Sequence, residues 1–410
     1  MLKKKFIFDS ILNIIATAIP LLIIQLVALP FVGTRLGDTQ YGLIVTLISL
    51  FTLLSLPFGN VLNNIRLLLD NEYEQKKITG DFNVLLAASI IISAFIVMVG
   101  TIYYEGTFSI ISVILIITIS CLNLIREYLL VSFRIELNYK AILVNNIILG
   151  IGYMTGTLVF YLTGYWQSIF ILGSGLSLFY IIRNSNLLKE SFTTTKLFKN
   201  TLYKNLILFC SIFLKTILSY ADKLLLFPLL GPTVVSVYYT ATIIGKIISM
   251  MITPINSVIL SYLTRMEKIG FKNFLYVIII TSVVGVMGYF ITILISHPLL
   301  YFLYPSWAAE SMELIYITTA SAILGVMSSV IHPFILRFNN INWQLFISGT
   351  NVVIYIICAF VFFNLYGLIG FCVGILIANG FKLVIMISIF IYNYRQNSSK
   401  GLKRDILKNV

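Results

Sequence analysis

The chain has 410 residues, 59% of them hydrophobic and only 10% charged, with a formal net charge of +13. Soluble domains carry about 25% charged residues, so a soluble globular protein is excluded. Apolar runs of membrane-crossing length recur along the sequence, and no gap between them could hold a soluble domain. The four cysteines, Cys121, Cys210, Cys358 and Cys372, fall inside apolar runs with no metal spacing. His297 and His332 are far apart, each followed by proline. Neither a metal centre nor an acid–base pair is expected, and the chain is read as a non-enzyme.

Hydropathy divides the chain into about twelve spans, at roughly 9–32, 41–66, 83–103, 108–130, 141–162, 165–182, 206–229, 233–258, 274–296, 310–334, 344–364 and 367–391. Met1-Leu-Lys-Lys-Lys resembles a basic leader region. The run from Ile11 to Val32 is too long for a cleavable signal, however, and is read as the first spanning helix.

Lys and Arg alternate sharply between the two sides of such a layout. Lys3–Lys5, Arg66, Lys76, Lys77, Arg126, Arg134 and Lys140 fall on one side. The same side takes the linker lysines up to Lys204, then Arg265, Lys268, Lys272, Arg337 and the tail from Arg395. The other side receives Arg35 alone. The positive-inside rule therefore makes both termini cytoplasmic, and most of the net charge marks topology, so no nucleic-acid partner is expected. Tyr103, Tyr104, Tyr165, Trp166, Tyr301, Tyr304 and Trp307 cluster at outer ends and read as an interfacial belt. Small-residue ridges at Gly152/Gly156, Gly173/Ser177 and Gly370/Gly374/Ala378 read as helix-packing surfaces.

A weak internal repeat is visible. Leu36-Gly37 precedes a helix containing Pro57, and Leu230-Gly231 precedes one containing Pro254. Each pair joins the first two spans of a six-span half, and both halves start on the same membrane side. The expected fold is thus an all-α polytopic membrane protein of two six-helix lobes, related by a pseudo-two-fold axis along the membrane normal. The domain boundaries predicted are 1–200, 201–395 and a basic cytoplasmic tail at 396–410.

Four lysines lie within spans, Lys215, Lys223, Lys246 and Lys382, against one aspartate, Asp222, in a span interior. A charge at the centre of a spanning helix costs about 2.5–3.5 kcal/mol on insertion scales, so these residues are expected to face protein or water. Lys215, Ser219 and Asp222 share one helix face, and Lys223 is expected about 100° round from Asp222, pointing elsewhere. In the eighth span Tyr239, Thr242, Lys246, Ser249, Thr253 and Asn256 form a continuous polar stripe. Shorter stripes occur at Ser10, Asn13 and Thr17, and at Ser49, Thr52, Gly59 and Asn63. The uncharged members either bond between helices or line a watery path, and both readings stay open. Lys382 either snorkels or joins a cavity, Lys223 pairs locally or snorkels, and Arg35 lines the outer entrance or anchors a helix end. An excess of in-span lysines suits an anionic cargo.

The junction Leu29-Pro30-Phe31-Val32-Gly33-Thr34-Arg35-Leu36-Gly37-Asp38-Thr39-Gln40-Tyr41-Gly42 resembles the signature of Wzx-like polysaccharide flippases, in the multidrug/oligosaccharidyl-lipid/polysaccharide exporter superfamily. Leu230-Gly231-Pro232-Thr233-Val234-Val235-Ser236-Val237-Tyr238 is similar to that family's second-half motif, with Ser236 where glycine is usual. The resemblance implies a central cavity between two lobes. It also implies flipping of undecaprenyl-pyrophosphate-linked oligosaccharide units across a bacterial cytoplasmic membrane by alternating access, for capsule, O-antigen or similar surface polysaccharide. On that reading Lys215, Lys246, Lys382, Arg35, Lys223, Tyr239, Thr242 and Ser249 form the substrate cavity. No cofactor is expected. Asp222 is either a proton- or sodium-coupling carboxylate or a static partner for a lysine. Membrane lipids and polysaccharide polymerase machinery are the further partners considered. The alternatives are a multidrug exporter of the same superfamily, a membrane glycan polymerase or an acyltransferase.

Overall fold

The computed structural model describes residues 2–106, 109–263, 266, 269–339 and 342–408. All regular structure among them is helical. Helix α1 comprises Leu2–Ile23, a π-helical turn at Ile24–Ala28 and residues 29–36, while α2 is residues 38–76. The two are separated only by Gly37, whose backbone leaves the helical region. Then follow α3 (Asp81–Glu105), α4 (Ile110–Leu129, extended by the turn Val131–Ile135), α5 (Tyr139–Thr163) and α6 (Gln167–Arg183). The second half runs α7 (Phe198–Leu230), α8 (Pro232–Leu263), α9 (Phe271–Leu303) and α10 (Ala308–Phe338). Asn342–Lys408 breaks at Tyr366 and Gly367 into α11 (342–365) and α12 (368–408). Hydropathy predicts these twelve helices.

Among the described residues eight continuous helical stretches are long and apolar enough to cross a bilayer, and two of them, Ile11–Lys76 and Phe346–Tyr394, each contain two helices. The breaks have a simple cause. Gly37 (φ 79°, ψ 175°) and Gly231 (φ 83°, ψ 172°) hold nearly the same conformation at equivalent corners. That combination is essentially restricted to glycine, so the Leu-Gly repeat read from the sequence is a repeat of backbone geometry.

Contacts divide the chain into two compact units. The first is Met1–Tyr239 with Leu303–Trp307, and the second is Thr240–Phe302 with Ala308–Val410. Between helices in lipid, close van der Waals packing replaces the hydrophobic drive available in water. In the first unit α5 and α6 approach until a Cβ on Gly152 would lie 2.6 Å from the Gly173 Cα. A Cβ on Gly156 would lie 2.5 Å from the Ile169 Cα. In the second unit α12 lies equally close to α11, with the Cys358 carbonyl 2.5 Å from a Cβ on Gly374. The small-residue ridges are therefore packing surfaces, as predicted. The first unit's core gathers Leu62, Ile65, Tyr73, Phe82, Leu124 and Tyr128. The second centres on Phe274, stacked on Phe390 at 3.6 Å.

The segment joining the two halves is strapped to the first unit. Arg66 grips Glu190 through both terminal nitrogens, at 2.9 and 2.8 Å, and its Nε reaches Asp70 at 3.2 Å. The Asn83 amide donates to the Glu190 carbonyl at 2.8 Å. Asp81 accepts from the Thr195 backbone N–H at 2.6 Å and from the Tyr73 hydroxyl at 2.6 Å. Hydropathy gives this segment only a loop's role and Arg66 only a topological one. Its docking comes from side-chain pairing across more than a hundred residues, which no local pattern encodes.

Candidate functional site

The in-span charges on α7 separate into two environments. Lys215 and Ser219 are exposed, whereas Asp222 is 8% and Lys223 1% exposed. One helix face thus changes character along its length, because the first turns of α8 cover it at Asp222. The expectation that Lys223 points elsewhere is not met. Its four-carbon stem curls back so that Nζ donates to both Asp222 oxygens at 2.5 Å. The Lys223 backbone N–H adds a bond at 3.0 Å, and the Tyr238 hydroxyl adds one at 2.9 Å. Nζ also lies 5.7 Å and 6.0 Å from the ring centres of Tyr238 and Tyr239, within cation–π range. A buried carboxylate with this many donors is an internal ion pair in a fully bonded setting.

Around the pair a larger polar and aromatic cluster closes, all of it within the first unit. Tyr239 donates to Gln25 Oε1 at 2.9 Å. Gln25 sits in the π-helical turn of α1, four to eight residues after Pro20, and such turns re-aim side chains that a regular helix would place elsewhere. Tyr41 shares a hydroxyl–hydroxyl bond with Tyr304 at 2.8 Å, and its ring meets Tyr239, Tyr304 and Trp307 at 6.1, 5.5 and 5.6 Å. Tyr304 and Trp307 were expected in the interfacial belt. They are 0% and 4% exposed, packed over the α-carbon of Gly33. Trp166 is likewise buried, whereas Tyr103, Tyr165 and Tyr301 are exposed as a belt requires. The signal that separates the two groups is tertiary. Only Gly33, which leaves room for a ring, hints at it in the sequence.

Arg35 is at the C-terminal end of α1, where its Nη1 donates to the Tyr161 carbonyl and its guanidinium lies 5.3 Å and 4.9 Å from the rings of Phe160 and Tyr161. It ties α1 to α5 and so acts as a helix-end anchor. On α8, Thr242 and Lys246 are half-buried and Ser249 is exposed, while Ile243 and Ile244 are buried. Exposure therefore rises along the stripe, from buried Tyr239 through half-buried Thr242 and Lys246 to exposed Ser249. The side chain of Thr253 lies outside the described residues, as does that of Ser10. Asn256 bonds Ser329 at 3.0 Å, an interhelical link. Lys382, on α12, is half-buried. The predicted set is thus not one constellation: Tyr239, Asp222 and Lys223 come together, and Lys215 stands apart on the exposed face of α7.

A second charge pair escaped the sequence reading. Arg126 and Glu127, near the C-terminal end of α4, are bonded to each other. The Asn63 amide donates to the Glu127 carbonyl at 2.8 Å, and Arg134 bonds Asn63 and, at 3.0 Å, Asn64. Neighbouring residues on a helix do not face each other, so an Arg-Glu dipeptide gives no pattern signal. Among the described residues no group of three or more His, Cys, Asp or Glu side chains is placed to hold a metal ion.

Neither a protein-family model nor a curated protein sequence matches the chain. Solved structures do. An inward-facing multidrug resistance MATE family transporter of the MOP superfamily aligns with a TM-score of 0.67 at 14% identity, over 94% of this chain and 98% of that one. The lipid II flippase MurJ, in an inward closed conformation, aligns at 0.58 and 17%, over 99% and 92%. An outward-facing MATE transporter aligns at 0.59 and 14%, over 95% and 94%. The chain has the twelve-helix, two-lobe fold of these transporters. At such identities the likeness is one of architecture, and the cargo must be argued from the chain's own residues.

Proposed function

We propose that this protein is a carrier that flips an undecaprenyl-pyrophosphate-linked oligosaccharide across the bacterial cytoplasmic membrane by alternating access. Both termini would lie in the cytoplasm, and the six-helix halves 1–200 and 201–395 would act as the moving parts. The observation that carries the reading is the state of the in-span lysines. Lys215 is exposed on α7, and Lys246 and Lys382 are half-buried on α8 and α12, while the in-span carboxylate Asp222 is already engaged by Lys223. The in-span side chains thus carry an excess of positive charge, which suits an anionic cargo, and lysines act as point charges on phosphates. Thr242 and Ser249 lie about one turn to either side of Lys246 on the same face of α8. Polysaccharide polymerase machinery would take the flipped unit.

The test is flipping of a labelled lipid-pyrophosphate oligosaccharide in proteoliposomes. Lys215→Ala and Lys246→Ala should each slow it, Arg at either position should slow it less, and Lys140→Ala, exposed in the first turn of α5, should leave it unchanged. Normal flipping by the Lys215→Ala/Lys246→Ala double variant would defeat the reading.

The second reading, a multidrug exporter, draws on the higher TM-score with a MATE transporter than with MurJ. Efflux of an organic cation from the same vesicles, with no flipping of the lipid-linked sugar, would favour it.

A further inference from the structure

The outer turn between α9 and α10 is set apart from the helices that carry it. Leu303–Trp307 belongs to the first unit, whereas α9 up to Phe302 and α10 from Ala308 belong to the second. The turn is held by two interlocking features. The Trp307 ring lies 3.3 Å from where a Cβ on Gly33 would be, a seat that any larger residue would fill. Tyr304 bonds Tyr41 through their hydroxyls at 2.8 Å, both side chains being 0% exposed. Beside it, the outer corners of the two halves touch, with the Thr39 and Thr233 hydroxyls 3.3 Å apart and Ser236 donating to the Asp38 carbonyl at 2.5 Å. Beneath this layer lie Tyr239, Gln25 and the Asp222–Lys223 pair, all buried.

We infer that the Leu303–Trp307 turn is a latch on the outer side: seated on Gly33 and Tyr41, it seals the buried pair from the outside, and it must lift once in each transport cycle. This rests on the alternating-access reading above. Its chemistry suits reversible opening. The contact is aromatic, and the Tyr41–Tyr304 hydrogen bond within it is neutral. A neutral bond of this kind has a small net worth, because water replaces it when it opens. The charged pair stays intact below, so lifting the turn wets Gln25 and Tyr239 without separating Asp222 from Lys223.

The test uses protein whose four native cysteines are replaced. Gln25→Cys is labelled from outside with a membrane-impermeant thiol reagent. Labelling should be slow, and Tyr304→Phe, which keeps the ring and removes the bond, should speed it by about fivefold. An unchanged labelling rate overturns the inference. Labelling reads opening without any cargo. A latch that lifts in a protein that flips no lipid-linked sugar would therefore sink the functional reading and leave the latch standing.

Discussion

Thr39 and Thr233 are 194 residues apart and meet hydroxyl to hydroxyl at 3.3 Å. The same interval relates Gly37 to Gly231, whose backbones match, so each threonine touches its own counterpart in the other half. That happens only on a two-fold axis. The flanking contacts are reciprocal: Ser236 bonds the Asp38 carbonyl, and its counterpart Gly42 lies against the carbonyl of Pro232, the counterpart of Asp38. The repeat visible in the sequence is thus a local symmetry at the two Leu-Gly corners.

The reciprocity is not equal on the two sides. A Cβ on Gly42 would stand 1.8 Å from the Pro232 oxygen, whereas Ser236 already carries its side chain. Gly42→Ala should therefore cost about 1–3 kcal/mol as overpacking and lower the melting temperature in detergent. Ser236→Gly should be milder.

Gly37→Ala and Gly231→Ala should be destabilising by similar amounts, about 1–3 kcal/mol each. Neither site has an atom within 4 Å of an added Cβ, so the cost is all backbone. Gly175→Ala, equally open but helical, is the control and should be neutral or better in a thermal-shift assay.

Asp222 tests the choice between ion coupling and a static pair. Its carboxylate is bonded by Lys223 and Tyr238, and we expect a static role. Asp222→Asn should cost about 3–5 kcal/mol by leaving a buried lysine uncompensated, seen as reduced abundance. Asp222→Asn with Lys223→Met should recover much of it. Flipping per folded molecule should still respond to an imposed proton or sodium gradient. A gradient response abolished by Asp222→Asn in well-folded protein would restore the coupling role.

Arg66 and Glu190 give a stability prediction on the inner side. Their side chains are 9% and 13% exposed, so Glu190→Ala should destabilise the protein by a few kcal/mol, about the cost of orphaning a buried charge. It should also open the 184–197 segment to protease in inside-out vesicles. Protection unchanged from the parent protein would show that the strap is not formed in the membrane.

Reporter fusions check the topology. Those at Glu105, Gly164 and Ser306 should read as outside, and those at Gln75, Glu136, Thr194 and Ile269 as inside. A reversal at any position would break the twelve-span layout.

Helix number and approximate ends were legible because each span is an uninterrupted apolar run, and because Gly37, Gly164, Gly231 and Gly367 punctuate the turns. Packing ridges were legible from spacing alone. Three features were not. Lys223 reaches Asp222 by curling its stem, which helical-wheel angles ignore. Tyr304 and Trp307 look like belt aromatics until Gly33 and Tyr41 are brought beneath them. Arg66 looks like a topological charge until Glu190 arrives. In each case the missing information was a partner distant in the chain or a side-chain rotamer.

The first unit is discontinuous, and this bears on how the protein is made. Its last piece, Leu303–Trp307, follows Thr240–Phe302, which belongs elsewhere. At ribosomal speeds of about 5–20 residues per second, the seat at Gly33 and the hydroxyl of Tyr41 wait roughly 13–55 s for their partners. During biogenesis the N-terminal half is therefore unfinished, with the seat at Gly33 and Tyr41 uncovered until the turn arrives. Maturation of that half is timed by the synthesis of a five-residue turn in the other.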